Sequence, residues 1–136
     1  MESKSENGVC AIDSCIILRF ILRDVPEQVA NVRSLLLDGH DYYVDDAVIS
    51  ECIHVMTREH RKRDYIVDDM LSLLRNSLFI WNRDFFEPVF KEYLEHPSLS
   101  FDDIVIAHRV ESLGYAPLWT FDRKLAAQSP VARLLD

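Results

Sequence analysis

Four carboxylates border apolar segments of this 136-residue chain, where a protein core does not usually accept charge. They are Asp13, Glu51, Asp103 and Asp122. Carboxylates are rarely buried unless something compensates their charge. One kind of cation could neutralise all four carboxylates. Mg²⁺ and Mn²⁺ are candidates because both prefer oxygen ligands. The pattern therefore predicts a Mg²⁺ or Mn²⁺ site built from these side chains.

Each acid also has an ordinary structural explanation. Asp13 and Asp122 each follow a short apolar run and could cap the helix that comes next. Asp103 lies with Asp102 in the first turn of a predicted helix, where acids favour the helix dipole. Glu51 lies about two turns into its helix and has no capping role. Its alternative is a partly exposed position or an ion pair with Arg or Lys.

Short apolar strands separated by helices must position these acids. Strands are predicted at 9–12, 42–44, 78–81 and 118–120, with a fifth candidate at 131–134. Helices are predicted at 14–22, 26–38, 45–58, 64–75, 85–95, 100–113 and 123–127. This alternation predicts an α/β fold with a parallel sheet covered on both faces. Ligands bind at the carboxyl ends of such strands, so the topology permits the four acids to converge.

Length and composition predict one compact domain over residues 9–136, preceded by a flexible N-terminal tail over residues 1–8. The tail lacks the apolar segment of a signal peptide, and no apolar run approaches the roughly 18 residues of a membrane span. The three cysteines lie in apolar segments and are interpreted as small buried thiols in a reducing compartment. We therefore expect a cytoplasmic protein with no membrane segment.

The net charge of −8 argues against a nucleic-acid partner, because phosphate binding favours a basic surface. Metal ions held by a carboxylate cluster would invert the sign of the charge locally. A basic run over residues 58–63 also stands out. It is either a solvated helix end, where cations complement the dipole, or a contact with a substrate backbone or partner.

Four segments, in this order, resemble the motifs of PIN-domain nucleases, and among these the VapC-like toxins of toxin–antitoxin pairs. They are Ala11-Ile12-Asp13-Ser14 leading to Arg19, Val48-Ile49-Ser50-Glu51 leading to Met56, Asp103-Ile104-Val105-Ile106-Ala107, and Trp119-Thr120-Phe121-Asp122. Each segment is weakly specific by itself, but together they span most of the chain. The resemblance implies a PIN-like three-layer α/β/α sandwich with a short, mainly parallel sheet of four to five strands.

The resemblance also implies a function, namely metal-dependent endoribonuclease activity. Its catalytic, metal-binding residues would be the quartet named above: Asp13, Glu51, Asp103 and Asp122. The supporting hydroxyls would be Ser14 and Thr120. Contacts to the RNA backbone are expected from Arg19, Arg58, Arg61 and Lys62. The implied partners are an RNA substrate, a cognate antitoxin and a second copy of the chain in a homodimer.

The sequence departs from the family pattern at two points. Cys15 follows Ser14, where the family usually has Asn or Ser, and a thiol cannot supply an equivalent hydrogen bond. Asp102 precedes Asp103, so the third acid is ambiguous by one residue. We choose Asp103 because it fits the Asp-x-x-Ile-Ala spacing.

Two other functions fit parts of the pattern. One is a catalytically silent PIN-like module that acts through protein contacts, although the intact acids argue against it. The other is a receiver-type phosphoryl-transfer regulator, which also gathers acids at strand ends. Lys124 near Asp122 is a loose match to the lysine of that site, but Glu51 would then have no role.

Overall fold

A computed structural model describes residues 8–136 of the chain. The tail predicted over residues 1–8 lies outside the described residues, apart from Gly8. The described residues form seven helices and five strands, so the predicted α/β class is confirmed. The longest helices have 13 residues, and within residues 8–136 every helix is too short or too polar to span a lipid bilayer.

The elements are numbered in chain order. The strands are β1 Val9–Ala11, β2 Asp41–Tyr43, β3 Phe79–Ile80, β4 Leu118–Thr120 and β5 Ala132–Leu134. The helices are α1 Ser14–Leu22, α2 Pro26–Leu36, α3 Asp46–Arg58, α4 Arg63–Leu74, α5 Arg83–Glu95, α6 Phe101–Leu113 and α7 Arg123–Gln128.

Two helix boundaries differ from the prediction by two residues, and the others agree to within one. Helix α2 ends at Leu36 because Asp38 belongs to a turn, where its Oδ1 accepts the backbone N–H of His40 at 3.0 Å. Helix α5 begins at Arg83, two residues earlier than predicted. An ion pair from Arg83 to Glu87, one turn along at 3.1 Å, supports this added first turn.

The chain folds into two compact units, the first ending at Asn82 and the second running from Arg83 to Asp136. In the first unit, β1, β2 and β3 form a parallel sheet with β2 in the centre. In the second unit, β4 and β5 form a parallel pair. The parallel pairing agrees with the prediction, but the strands form sheets of three and two strands rather than one sheet of four to five. Strands of two or three residues offer few ladder hydrogen bonds, which keeps each sheet small.

The core of the first unit lies around β2 and the helices that follow it. Tyr42 of β2 is fully buried, and its hydroxyl lies 2.5 Å from both the Leu35 carbonyl oxygen and Asp38 Oδ1. Helices α3 and α4 add a continuous set of buried side chains. These are Ile49, Cys52, Ile53, Met56, Ile66, Val67, Met70, Leu73 and Leu74. Helix α3, which carries Glu51, therefore buries one face in this core.

The core of the second unit contains an aromatic cluster formed by Phe86, Phe90 and Tyr93 of α5 and Phe101 of α6. Phe101 is at its centre, with its ring 6.3, 5.6 and 5.3 Å from those of Phe86, Phe90 and Tyr93 respectively. The Tyr93 ring meets it edge-on, a favourable aromatic geometry. This cluster fixes the start of α6, where Asp102 and Asp103 lie.

The cysteines occupy three different environments. Cys52 is buried, Cys10 is half-buried and Cys15 is exposed, and all three are free thiols. The prediction of a buried thiol is therefore confirmed for Cys52 and wrong for Cys15. Cys15 is the second residue of α1 and is exposed, whereas Ile17 and Leu18 of the same helix are buried.

Candidate functional site

The carboxyl edge of the three-stranded sheet carries a row of polar side chains. The register pairs Ala11 with Tyr43 and Tyr43 with Ile80. Asp13, Asp45 and Asn82 each come two residues after the last residue of their strand, so all three lie at the carboxyl edge of the sheet. Asp13 therefore lies at the edge where parallel sheets bind ligands, as predicted from its position after β1.

Asp13 also caps α1. Its Oδ1 accepts the Ser14 backbone N–H at 2.6 Å and lies 3.4 Å from the Ser14 hydroxyl. The side chain is exposed, so its charge is met by water and by the start of the helix. Ser14 thus contacts Asp13 directly.

Glu51 lies on the exposed side of α3, with 49% of its side chain accessible. Its Oε1 is 3.6 Å from Arg58 Nη2, and its Oε2 is 3.9 Å from His54 Nδ1. The sequence left a non-metal explanation open for Glu51, namely a partly exposed position or an ion pair with Arg or Lys. The structure shows both features. Glu51 therefore has a local partner for its charge without a metal ion.

The buried Cys52 thiol links Asp13 and Glu51. Its Sγ lies 3.9 Å from the Ser14 carbonyl oxygen, which joins α3 to the start of α1. The pKa of Cys52 is raised to about 12, chiefly by burial and then by the nearby negative charges of Glu51 and Asp13, with a smaller effect from Cys15. Ser14 follows Asp13 and Cys52 follows Glu51, so this contact joins the two segments of the first unit that carry these acids.

Asp103 lies in the first turn of α6 and is half-buried, whereas Asp102 is exposed. Ser100 caps this helix, and its Oγ accepts the Asp103 backbone N–H at 3.1 Å. The predicted capping serine is therefore confirmed. Both acids also lie where the helix dipole favours negative charge.

Asp122 caps α7 in the second unit. Its Oδ1 accepts the backbone N–H groups of Lys124 at 2.9 Å and Leu125 at 3.2 Å. The Thr120 hydroxyl oxygen accepts the Asp122 backbone N–H at 2.9 Å, which holds the turn that leads into the helix. Thr120 therefore helps to position Asp122.

None of the four acids is buried in the core. Asp13, Glu51 and Asp122 are exposed, and Asp103 is half-buried. Each borders an apolar segment without being covered by it, and helix N–H groups or cationic side chains offset its charge. Within residues 8–136, no group of three or more His, Cys, Asp or Glu side chains is arranged to hold a metal ion.

The basic side chains expected to contact RNA are mostly in ion pairs. These pairs are Arg19 with Asp24 at 2.5 Å, Arg58 with Glu51 at 3.6 Å, and Arg61 with Asp69. Lys62 is exposed at the start of α4. Arg19 also lines a groove of about 370 Å³ between α1 and α2. Exposed ion pairs contribute little stability, so these cations can exchange their partners for phosphate at little cost.

Two further acids at the carboxyl edge follow β2. The Tyr43 hydroxyl donates to Asp45 Oδ1 at 2.7 Å, which lowers the pKa of Asp45 and raises that of Tyr43. The Asn82 amide lies 3.5 Å from Asp46 Oδ2. Sequence reasoning treated both acids only as helix caps. They follow the second strand just as Asp13 follows the first, and that signal could have placed them at the same edge.

Comparisons of the chain with protein-family models, with curated proteins and with solved structures find no match. The features that bear on its class are therefore the α/β fold and the acids that follow the ends of its short parallel strands.

Proposed function

We propose that this chain is a Mg²⁺- or Mn²⁺-dependent endoribonuclease that hydrolyses RNA phosphodiester bonds. The observation that carries the proposal is the position of Asp13 at the carboxyl edge of a parallel sheet, the usual ligand side of such folds. Cys52, the neighbour of Glu51 on α3, contacts the carbonyl oxygen of Ser14, the neighbour of Asp13, with its Sγ at 3.9 Å. Carboxylates at that edge suit a hard divalent cation.

The proposal includes a PIN-like three-layer sandwich. Its support is the order of the elements and the parallel pairing of all five strands. The sequence resemblance also assigns metal-binding roles to Asp103 and Asp122. Variants at these positions test that assignment directly.

The chemistry of the four side chains fits such a cation. The caps made by Asp13 and Asp122 use Oδ1 of each carboxylate, and an ionised carboxylate offers about four acceptor positions in total. Glu51 would have to release Arg58, whose contact at 3.6 Å is long and exposed. The cation would supply an activated water and neutralise charge on the phosphate. Ser14 and Thr120 would hold Asp13 and Asp122 in orientation.

The test is an RNA cleavage assay with and without Mn²⁺. We expect Asp13→Asn to lower the rate by more than about 100-fold, since even residues that only support metal ligands cost about 10- to 100-fold when removed. Asp41→Asn is the matched control, because Asp41 is an exposed acid at the opposite end of the same sheet. If Asp13→Asn cut RNA at the wild-type rate with an unchanged unfolding transition, the assignment would be wrong.

A paired substitution distinguishes the two adjacent acids of α6. Asp103→Asn should abolish cleavage, whereas Asp102→Asn should retain it. Both residues lie in the first turn of the same helix, so both variants lose similar helix-dipole stabilisation. The reverse result would make Asp102 the ligand, and loss of activity in neither would remove α6 from the site.

The biological role that we propose is that of a cytoplasmic toxin, which acts as a homodimer and is neutralised by a cognate antitoxin. The support is the resemblance of the four segments to VapC-like toxins. A short gene directly upstream that encodes a DNA-binding protein would supply the antitoxin. Co-expression of that gene should relieve growth arrest and yield a complex of the two proteins. An unrelated upstream gene together with no growth arrest would rule out the toxin role. The RNA cleavage assay would still test the proposed chemistry independently.

A catalytically silent interaction module is the second candidate function. It is favoured by one observation: Asp13 and Asp122 cap helices, and Glu51 pairs with Arg58, so these acids have structural roles without a metal. A silent module predicts no Mn²⁺-dependent cleavage by the wild-type protein at any metal concentration. Cleavage that Asp13→Asn removes would exclude it.

A further inference from the structure

The β4–β5 pair exposes a face with two aromatic rings. Trp119 of β4 is 54% exposed, and Phe121, which directly follows Thr120 at the end of the strand, is 78% exposed. The strand register sets Arg133 opposite Trp119. The backbone N–H of Leu135 donates to the Thr120 carbonyl oxygen at 2.9 Å, which continues the pairing. We call Trp119, Phe121, Arg133 and Leu135 the ribbon face.

Cationic side chains accompany these rings. The Arg133 guanidinium lies 5.6 Å from the centre of the Trp119 ring, within the range of a cation–π contact. Arg123 and Lys124 are exposed and follow Asp122 directly. The chain as a whole is acidic, with a net charge of −8. Aromatic rings next to cations complement a ligand that carries flat bases and phosphates.

We propose that the ribbon face binds single-stranded RNA, with Trp119 and Phe121 stacking on bases and Arg133 contacting a phosphate. Two residues of a strand rise about 6.6 Å, so the two rings would take separate bases. Unpaired bases offer the open faces that this stacking needs, whereas those of a duplex are stacked on each other. The proposal rests on the proposed function, because Asp122, one of the four acids, directly follows Phe121.

A protein surface is the competing occupant, since aromatic residues and arginine are also enriched at protein interfaces. The exposed cations favour RNA over a second copy of this acidic chain, because two copies would bring like net charges together. Binding of RNA is also separable from its cleavage, which allows the ribbon face to be tested by itself.

The experiment measures binding of a fluorescent single-stranded RNA of about 12 nucleotides by anisotropy, with an Asp13→Asn background to prevent cleavage. Trp119→Ala should weaken binding by about 5- to 150-fold, which corresponds to the loss of one stacked base. Tyr115→Ala is the matched control, since Tyr115 is 71% exposed but lies outside the ribbon face. Trp119→Phe should recover most of the affinity because it keeps a flat ring.

The contribution of charge has its own readout. Arg133→Ala should reduce the slope of log affinity against log salt by about 1, the signature of one lost phosphate contact. Arg33→Ala should leave the slope unchanged, because Arg33 is an exposed arginine on α2 in the other unit. An unchanged slope in Arg133→Ala would remove the phosphate contact from the proposal.

The outcomes separate this inference from the nuclease proposal. RNA binding that depends on Trp119, in a wild-type protein that cuts no RNA, would support the ribbon face and remove the nuclease. Cleavage with unchanged kcat and KM in Trp119→Ala would support the nuclease and overturn the ribbon face. Equal affinity for a duplex of the same sequence would overturn the base stacking. A change in self-association with unaltered RNA binding would make the face a protein interface.

Discussion

Cys52 should react with alkylating reagents far more slowly than an ordinary protein thiol. The reactive species is the thiolate, and burial raises the pKa of Cys52 from 9.0 to about 12, with Glu51 and Asp13 acting in the same direction. At a pH well below 9, this rise reduces the thiolate fraction about 1,000-fold. At pH 8 the fraction falls from about one in ten to about one in ten thousand. The side chain is also fully buried, which slows the reaction further.

The assay is alkylation of the native protein with iodoacetamide at pH 8, followed by mass spectrometry of the cysteine peptides. Exposed Cys15 serves as an internal standard in the same sample. We expect Cys15 to be fully modified before modification of Cys52 is measurable. In urea the two residues should react at similar rates, because unfolding removes both burial and neighbouring charge. Similar rates in the native protein would refute the placement of Cys52 beneath α1.

The same reaction reports on metal binding without any cleavage assay. A divalent cation held by Asp13 and Glu51 would put positive charge near Cys52 and lower the pKa of its thiol, so alkylation should become faster. Mg²⁺ is the suitable ion, because it prefers oxygen ligands to sulfur. Sodium chloride at matched ionic strength is the control. If Mg²⁺ supported cleavage but left the alkylation rate unchanged, the ion would be held elsewhere.

Other predictions concern stability. Phe101→Ala, at the centre of the aromatic cluster, should lower the free energy of unfolding in urea by about 3–5 kcal/mol, and a loss below about 1 kcal/mol would contradict the packing. Ser100→Ala removes the cap of α6 and should cost about 1 kcal/mol in the same assay, whereas exposed Ser77→Ala should cost little. The Tyr42 hydroxyl, followed by smaller effects of His40, lowers the pKa of Asp38 from 3.8 to about 2. The lowered pKa stabilises the folded protein, and this contribution to stability is fully present above pH 3.8 and is lost as the pH falls through about 2. Asp38→Asn should therefore reduce the fall in melting temperature at acid pH. An unchanged fall would contradict the prediction.

Helix boundaries were largely predictable because their signals are local. Ser100 caps α6, and Gly114 ends it with a φ of 73°, a left-handed conformation in which glycine carries no Cβ penalty. Pro26 opens α2 at a position where its missing N–H has no cost. In each case the side chain that sets the boundary is within a few residues of it, so a single sequence is sufficient.

Sheet size and acid burial were not predictable in the same way. The order of β1, β2 and β3, and the separate pairing of β4 with β5, depend on contacts between residues distant in sequence. Ile12 is buried, with 7% of its surface exposed, whereas the next residue, Asp13, is open to water. That difference depends on which parts of the fold lie beside each residue. A pattern of apolar residues shows that an acid borders the core, but not on which side of the boundary its carboxylate lies.

The shortness of the strands has a consequence for self-association. A long, flat edge strand is a template on which further chains can add, in the manner that leads to fibrils. In the three-stranded sheet the outer strands β1 and β3 have three and two residues, and β4 and β5 have three each. A strand added to any of them would gain only a few backbone hydrogen bonds. The folded protein therefore offers little support for growth of β-aggregates, even though nearly half of its residues are hydrophobic.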